Sequence, residues 1–274
     1  MTEAGPDLRP SREITATELN IDRPHTARMY DYYLGGKDNF PADREAAEAA
    51  LAAFPNLATA ALQNRVFLHR AVSFLTGEAG IRQFLDIGTG IPTSPNLHEV
   101  AQGIAPDARI VYADNDPLVL AHARALLTSS PQGRTAYVDA DLRGVDRILA
   151  GAADALDLTQ PVAVSLIAIL HFLPDEDDPY GIVRHLMGQL SAGSHLVVSH
   201  ITADFDPQVA AAAKVYRDRG ISTQARSRGE VARFFDGLDL VDPGVTPVHR
   251  WRPDSVSQFT DAEVSVYGAV ARKP

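Results

Sequence analysis

Three short clusters of side chains hold most of the chemistry available to this 274-residue chain. The first is Asp86-Ile87-Gly88-Thr89-Gly90, which follows the apolar pair Phe84-Leu85. Two glycines one residue apart let a buried strand turn sharply, and they let another molecule's atoms come close to the backbone. Asp86 then sits at the strand's C-terminal end, beside the crevice where open α/β sheets hold their ligands. The second cluster is Asp114-Asn115-Asp116, behind Ile110-Val111-Tyr112-Ala113; the third is Asp141-Leu142, behind Tyr137-Val138. A carboxylate at a second strand tip can accept from both hydroxyls of a ribose. One at a third tip can accept from an exocyclic amine while the adjacent Leu142 amide donates to a ring nitrogen. Together the clusters describe an adenosine site.

The rest of that ligand follows from charge. A dinucleotide fingerprint needs a third glycine where this chain has Thr93, preceded by Pro92, which lacks the N–H that a pyrophosphate would use. Asp86 would repel a pyrophosphate and attract an ammonium or a sulfonium. S-adenosylmethionine carries both on an adenosine. Its expected contacts are Asp86, Gly88, Thr89, Gly90, Asp114, Asn115, Asp141 and Leu142, with Ile167 near the end of the fourth strand.

Methyl transfer from a sulfonium needs an acceptor held in line and, for a hydroxyl or neutral amine, a route for its proton. Histidine titrates near neutrality, so His171 is the expected base, with His200 beside it on the substrate side. The segment Arg28-Met29-Tyr30-Asp31-Tyr32-Tyr33-Leu34-Gly35-Gly36-Lys37-Asp38-Asn39-Phe40 is rich in tyrosine and broken by Gly-Gly. It reads equally as a packed helix-turn or as a lid with Tyr30, Tyr33, Lys37 and Asn39 on its ligand side. Arg65 and its neighbours Asn64 and His69 could face the same crevice from a long helix.

The elements that position these residues alternate regularly. Helical patterns at 21–80 precede any strand and suggest a cap or lid, after a loose tail at 1–20. From Ile81 onward strands at 83–88, 108–114, 135–138, 162–170 and 195–200 alternate with helices at 94–103, 117–127, 145–150 and 180–190. Two more helical stretches, 206–219 and 227–236, lead to two final strands at 238–248 and 263–271, the former interrupted by Pro243-Gly244. The expected fold is a doubly wound, mostly parallel seven-stranded α/β sheet, Rossmann-like over 81–274, with an antiparallel terminal strand.

Composition removes other classes. The chain has no cysteine, which excludes disulfides, thiolate zinc and a cysteine nucleophile. A net charge of −10 disfavours nucleic-acid strands. No apolar run is long enough to span a bilayer and no leader pattern is visible, so a cytoplasmic protein is expected. Asp175-Glu176-Asp177-Asp178 reads as a solvated face or helix start, and no metal is expected. No G-x-S-x-G is present for a serine hydrolase.

Asp86-Ile-Gly88-Thr-Gly90, Asp114 and Asp141 resemble the motifs of class I S-adenosylmethionine-dependent methyltransferases, with Pro92 at a position where those proteins commonly have glycine. The tyrosine-rich segment, Asp86 to Thr93, Asp114-Asn115-Asp116-Pro117 and the closing Tyr267-Gly268-Ala269-Val270-Ala271-Arg272 together resemble a bacterial S-adenosyl methyltransferase family without an established substrate. The resemblance runs from about residue 20 to the end. It implies the cofactor and the fold and no reaction product; the first reading is a methyltransferase acting on a small-molecule acceptor, with the acceptor's identity and the oligomeric state left open. Two readings from other classes stay in view: a non-catalytic S-adenosylmethionine or S-adenosylhomocysteine sensor, and an NAD(P)-dependent oxidoreductase.

Overall fold

The computed structural model describes residues 20–126 and 128–274, so nearly all of the expected tail lies outside the described residues. Helices come first: α1 (Thr26–Tyr33), α2 (Pro41–Ala53) and α3 (Leu57–Gly77). His25 caps α1 by accepting the Ala27 N–H, and Pro41 opens α2 where a missing N–H costs nothing. Asp43 accepts the N–H groups of both Phe40 and His25, which ties α1 to α2. Along α3, Leu57, Ala60, Ala61, Asn64, Phe67, Leu68, Ala71, Val72 and Leu75 form one buried stripe at helical spacing.

The alternating part follows as β1 (Gln83–Ile87), α4 (Leu97–Ile104), β2 (Arg109–Asp114), α5 (Pro117–Leu126), β3 (Arg134–Asp139), α6 (Val145–Ala152), β4 (Ala163–Ile167), α7 (Pro179–Gly188) and β5 (His195–Ile201). Then come α8 (Gln208–Asp218), α9 (Arg228–Ala232), β6 (Asp239–Leu240), β7 (Thr246–Pro247), α10 (Asp261–Val264) and β8 (Val266–Arg272). The sheet order is β3-β2-β1-β4-β5-β8-β6, and β7 also pairs with β8. The first five strands are parallel, and β8 runs antiparallel to β5. The chain winds outward from β1 in both directions, so the crevice at the C-terminal ends of β1 and β4 is the topological switch point.

Alternation along the strands splits the core between the two faces of the sheet. Phe84, Ile110, Tyr112, Ala163, Val197 and Val270 pack under α1 to α4. Leu85, Ile87, Val111, Val164, Leu166 and Val198 pack under α6 and α7. Asp86 lies on the Phe84 face, the one the N-terminal helices cover.

Several boundaries differ from the sequence reading, each for a local reason. The fourth strand stops at Ile167 instead of 170, because Ala168 takes φ +54 and gives its N–H to Ser199 Oγ. The strand expected at 238–248 is two short pieces on β8, separated by a turn in which Gly244 takes φ +77 and donates to Val241 O. The last strand starts at 266, since Thr260 accepts the Glu263 N–H and starts a helical turn there. The helix after β1 begins at Leu97, where Glu99 accepts the Asn96 N–H.

Candidate functional site

The glycine turn after β1 is held from beneath by β2. Gly88 gives its N–H to Ala113 O at 2.8 Å, and Gly90 gives its own to Asp114 Oδ2 at 2.9 Å. Both glycines have positive φ, +74 and +68. A Cβ on Gly88 would lie 2.8 Å from the Ile169 side chain, so glycine is required there twice over. Arg65 on α3 supports the continuation of the turn by donating to the carbonyls of Thr93 and Pro95.

Asp86 is buried and accepts the Ser165 hydroxyl from its register partner on β4. Burial pushes its carboxyl up to about 6, against the opposing pull of that hydroxyl and of Arg65. Asp114 is buried too. Its Oδ2 takes the Gly90 N–H and its Oδ1 the Asp116 N–H, at 2.9 Å each. Burial raises its carboxyl, and those two donors partly offset the rise. At the third tip Asp141 accepts from Asn115 Nδ2 and from the Arg143 N–H, both at 2.9 Å. The Arg143 guanidinium bridges Asp141 to Asp177. The Leu142 N–H has no partner among the described residues.

All nine residues expected to hold the cofactor line one cavity: Asp86, Gly88, Thr89, Gly90, Asp114, Asn115, Asp141, Leu142 and Ile167. Tyr30, Tyr33, Arg65, His171 and His200 line it as well. Lys37 and Asn39 do not. The Gly35-Gly36 turn folds back on Asp31, which accepts the Asp38 N–H and the Asn39 side chain, the latter at 2.8 Å. Asn39 is thereby buried as a brace for the turn, and Lys37 points to solvent.

At the other end of the cavity the chain leaves β4 through Ala168, and a turn at Leu170–Phe172 brings His171 and Phe172 to the wall. Arg226, only 1% exposed, fastens this turn. It donates to Leu170 O at 3.1 Å, Leu173 O at 2.9 Å and Asp175 Oδ1 at 2.7 Å. Its remaining reach is to His200 Nε2, at 3.0 Å. His200 Nδ1 lies 2.8 Å from Ile201 O, a carbonyl that can only accept. The hydrogen is therefore on Nδ1, Nε2 accepts from Arg226, and His200 has no lone pair left for a ligand. Burial first, then Arg226, drops His171 to about 3, while its Nδ1 has no hydrogen-bond partner among the described residues. Burial likewise holds His200 well below the ordinary range. Tyr30 donates to Ala61 O and accepts from Asn64, whereas Tyr33 and Tyr216 meet hydroxyl to hydroxyl at 2.8 Å.

The acidic run is absorbed into this scaffold. Asp175 pairs with Arg226, Asp177 with Arg143, and Asp178 caps α7 by accepting the Gly181 N–H. No group of three or more metal-ligating side chains occurs among the described residues. Nor is any described helix long and apolar enough to cross a membrane. His98 binds the Tyr112 hydroxyl in the core, away from the cavity.

Sequence reasoning missed four contributors. His25 lines the cavity and lies 3.1 Å from Asp116, which Arg28 also contacts at 3.2 Å. Arg143, Tyr216 and Arg226 were the others. Asp116 directly follows a site motif, a signal that pointed to the first group. Nothing in Gln224-Ala225-Arg226-Ser227 sets Arg226 apart from a solvated arginine.

Residues 12–274 match the model of a family described as S-adenosyl methyltransferase. A crystal structure of a DUF574 family protein from Streptomyces avermitilis is 50% identical, covers 93% of this chain and all of its own, and superposes with a TM-score of 0.91. A candidate methyltransferase from Thermobifida fusca is 39% identical, with 93% of this chain and 97% of its own covered, at a TM-score of 0.87. An O-methyltransferase family protein from Burkholderia thailandensis shares the fold alone: 15% identity, 80% and 58% coverage, TM-score 0.51. Among curated proteins none matches the chain.

Proposed function

The chain belongs to the S-adenosyl methyltransferase family, and from that premise we propose that its cavity holds S-adenosylmethionine at the tips of β1 to β3 and a small acceptor beneath α1, α3 and α8. The observation that carries this reading is the convergence of Asp86, Asp114 and Asp141 on one cavity beside the Gly88–Gly90 turn. The residues fit the group. Asp114 keeps a further lone pair on each oxygen for a ribose diol, beyond the two backbone donors it already accepts. The unpartnered Leu142 N–H and the Asp141 carboxylate suit the edge of an adenine. Among the described residues Asp86 has only the Ser165 hydroxyl as a hydrogen-bond partner, so its other oxygen is available to an ammonium. Arg65 faces the cavity close enough to pull on Asp86 and is placed for the neighbouring carboxylate.

When bound, S-adenosylmethionine supplies a methyl group already activated by positive sulfur. The protein's part is to orient the acceptor, keep water out and let charge cancel. Burial keeps His171 neutral at physiological pH, so it is a hydrogen-bonding residue there and a poor store for a proton.

Titration calorimetry with S-adenosylmethionine, S-adenosylhomocysteine and NAD tests the assignment. Both adenosyl ligands are expected to bind and NAD to give no heat. Binding of NAD alone would overturn it.

A further inference from the structure

The two ends of the cavity differ in charge, and the one without carboxylates holds unpaired donors; this points to the acceptor's chemistry. The carboxylates that line the cavity, Asp86, Asp114 and Asp141, all sit at the glycine-turn end. The opposite end has none, and a buried guanidinium, Arg226, stands directly behind its histidines.

That end holds hydrogen-bond donors with no protein acceptor among the described residues. One hydrogen lies between the hydroxyls of Tyr33 and Tyr216, and neither hydroxyl has another partner among the described residues. Two phenols have two O–H groups, so one donor in the pair is always left over. His171 Nδ1 is also buried without a hydrogen-bond partner among the described residues, so a hydrogen on it is one more donor lacking an acceptor. Burying such donors without acceptors is costly, which favours a ligand that supplies an acceptor.

The wall is also shaped for a ring. Tyr216, Phe172 and His171 follow one another with centroids 6.0 and 4.3 Å apart. Ala212 and Ala213 share the Tyr216 face of α8 and leave space beside it. A flat ring is matched to such a slot, and a cationic amine would meet no anion in it.

We propose that the methyl acceptor is a hydroxylated aromatic molecule that reacts as its aryl oxyanion, the oxygen held by the spare tyrosine O–H and by His171. The proposal rests on the S-adenosylmethionine assignment above. The oxyanion oxygen forms a bond to the methyl carbon as the carbon–sulfur bond breaks, and that electron pair stays on sulfur. One negative and one positive charge become a neutral aryl methyl ether and the neutral thioether S-adenosylhomocysteine. The phenolic proton has already left to solvent, so no side chain has to store it. This agrees with two histidines that stay neutral.

The test uses the full chain saturated with S-adenosylhomocysteine and three probes of similar outline: 4-nitrophenol, 4-nitroaniline and 4-nitrobenzylamine. Calorimetry is expected to rank 4-nitrophenol first, at least about tenfold over the cationic amine. The visible absorbance of bound nitrophenolate should persist to lower pH than that of the free dye. Tyr33→Phe or Tyr216→Phe alone leaves one free donor, so only the double variant should lose about tenfold or more in nitrophenol affinity, with S-adenosylhomocysteine binding unchanged. Equal or tighter binding of the amine overturns the proposal, as does a double variant that keeps full nitrophenol affinity. So does S-adenosylhomocysteine binding with no uptake of 4-nitrophenol. If the double variant does not fold, the probe ranking on the native chain decides by itself. Failure of S-adenosylhomocysteine to bind at all would instead strike the cofactor assignment.

Discussion

The two ends of the cavity are built in different ways. At the tips of β1 to β3 each functional group lies within a few residues of the next: Asp86 with Gly88 and Gly90, Asp114 with Asp116, Asp141 with Leu142. Parallel register aligns the three tips, and the Gly90 and Asp116 N–H groups hold Asp114 while near neighbours hold Asp86 and Asp141. At the end lined by His171 and His200 the groups arrive from separate elements. Tyr33 and Tyr216 touch although 183 residues apart in sequence, and Arg226 reaches back across 56 residues to Leu170. One end is a local motif repeated along a sheet edge; the other is a product of tertiary packing. Substitutions should therefore damage the first through its backbone and the second through its side chains.

The largest effect is expected at the glycine turn. Gly88→Val adds a side chain at φ +74 and drives it into Ile169. The left-handed penalty and the overpacking together should destabilise the fold by about 2–4 kcal/mol, read as a lower urea midpoint, and abolish adenosyl binding. Gly90→Ala is the control within the same loop. Nothing lies within 4 Å of its Cβ, so only the conformational cost of about 1–2 kcal/mol should appear. Equal losses at the two positions would mean that Ile169 does not press on the turn.

Asp114→Ala comes next. It should weaken S-adenosylhomocysteine by about 1–3 kcal/mol, part of it from the freed Gly90 N–H. Unchanged affinity in calorimetry would place the ribose elsewhere.

The two ends should also titrate in opposite senses. Asp86 is raised from 3.8 to about 6, so the folded chain holds a proton that the unfolded chain has released. Its contribution to stability is full below 3.8 and is lost as pH rises through about 6. His171 is lowered from 6.5 to about 3, so the unfolded chain binds the proton that the folded chain refuses. Its contribution is present above 6.5 and is lost as pH falls toward 3. Asp86→Asn and His171→Gln should each flatten its own window in urea melts taken across pH. Adenosyl binding is linked to the first group: affinity should fall as pH drops below about 6, and Asp86→Asn should weaken that dependence, leaving the part that belongs to Asp114, whose carboxyl burial also raises. A pH dependence undiminished in Asp86→Asn would reassign it to another group.

This contrast also explains what could be read from the sequence. The sheet, its order of alternation and the strand-tip carboxylates depend on periodicity and on glycine spacing, which are local, and all nine cofactor-side residues meet at one cavity. Ala168 ended β4 early without warning, because nothing local distinguishes an alanine held at positive φ by a serine of the next strand. Arg226 looked like surface charge, and its burial is decided by carbonyls and a histidine that the fold brings to it. The role of Tyr216 depends wholly on Tyr33. The acidic run reads from sequence as a solvated face or a helix start; that Asp178 makes the cap, and that Asp175 and Asp177 pair with Arg226 and Arg143, is decided by the fold.

The smallest expected effect concerns the Gly-Gly segment, where a lid reading and a packing reading looked alike from sequence. Lys37 is exposed and away from the cavity, so Lys37→Ala should leave S-adenosylhomocysteine affinity and stability within about 0.5 kcal/mol of the parent. Asn39→Ala removes the side chain that donates to Asp31 and accepts from Arg44, and should cost about 1–3 kcal/mol of stability. It should do so without changing nitrophenol binding by the folded protein. A lid would give the reverse pattern, with ligand affinity falling for Lys37→Ala while the urea midpoint stayed fixed. Both variants measured in both assays decide whether this turn is a brace or a cover. Asp31 favours the brace: burial raises its carboxyl, and the Asn39 amide and Asp38 N–H that counter the rise come from the turn itself. Opening the turn would expose Asp31 and strip both donors from it at once.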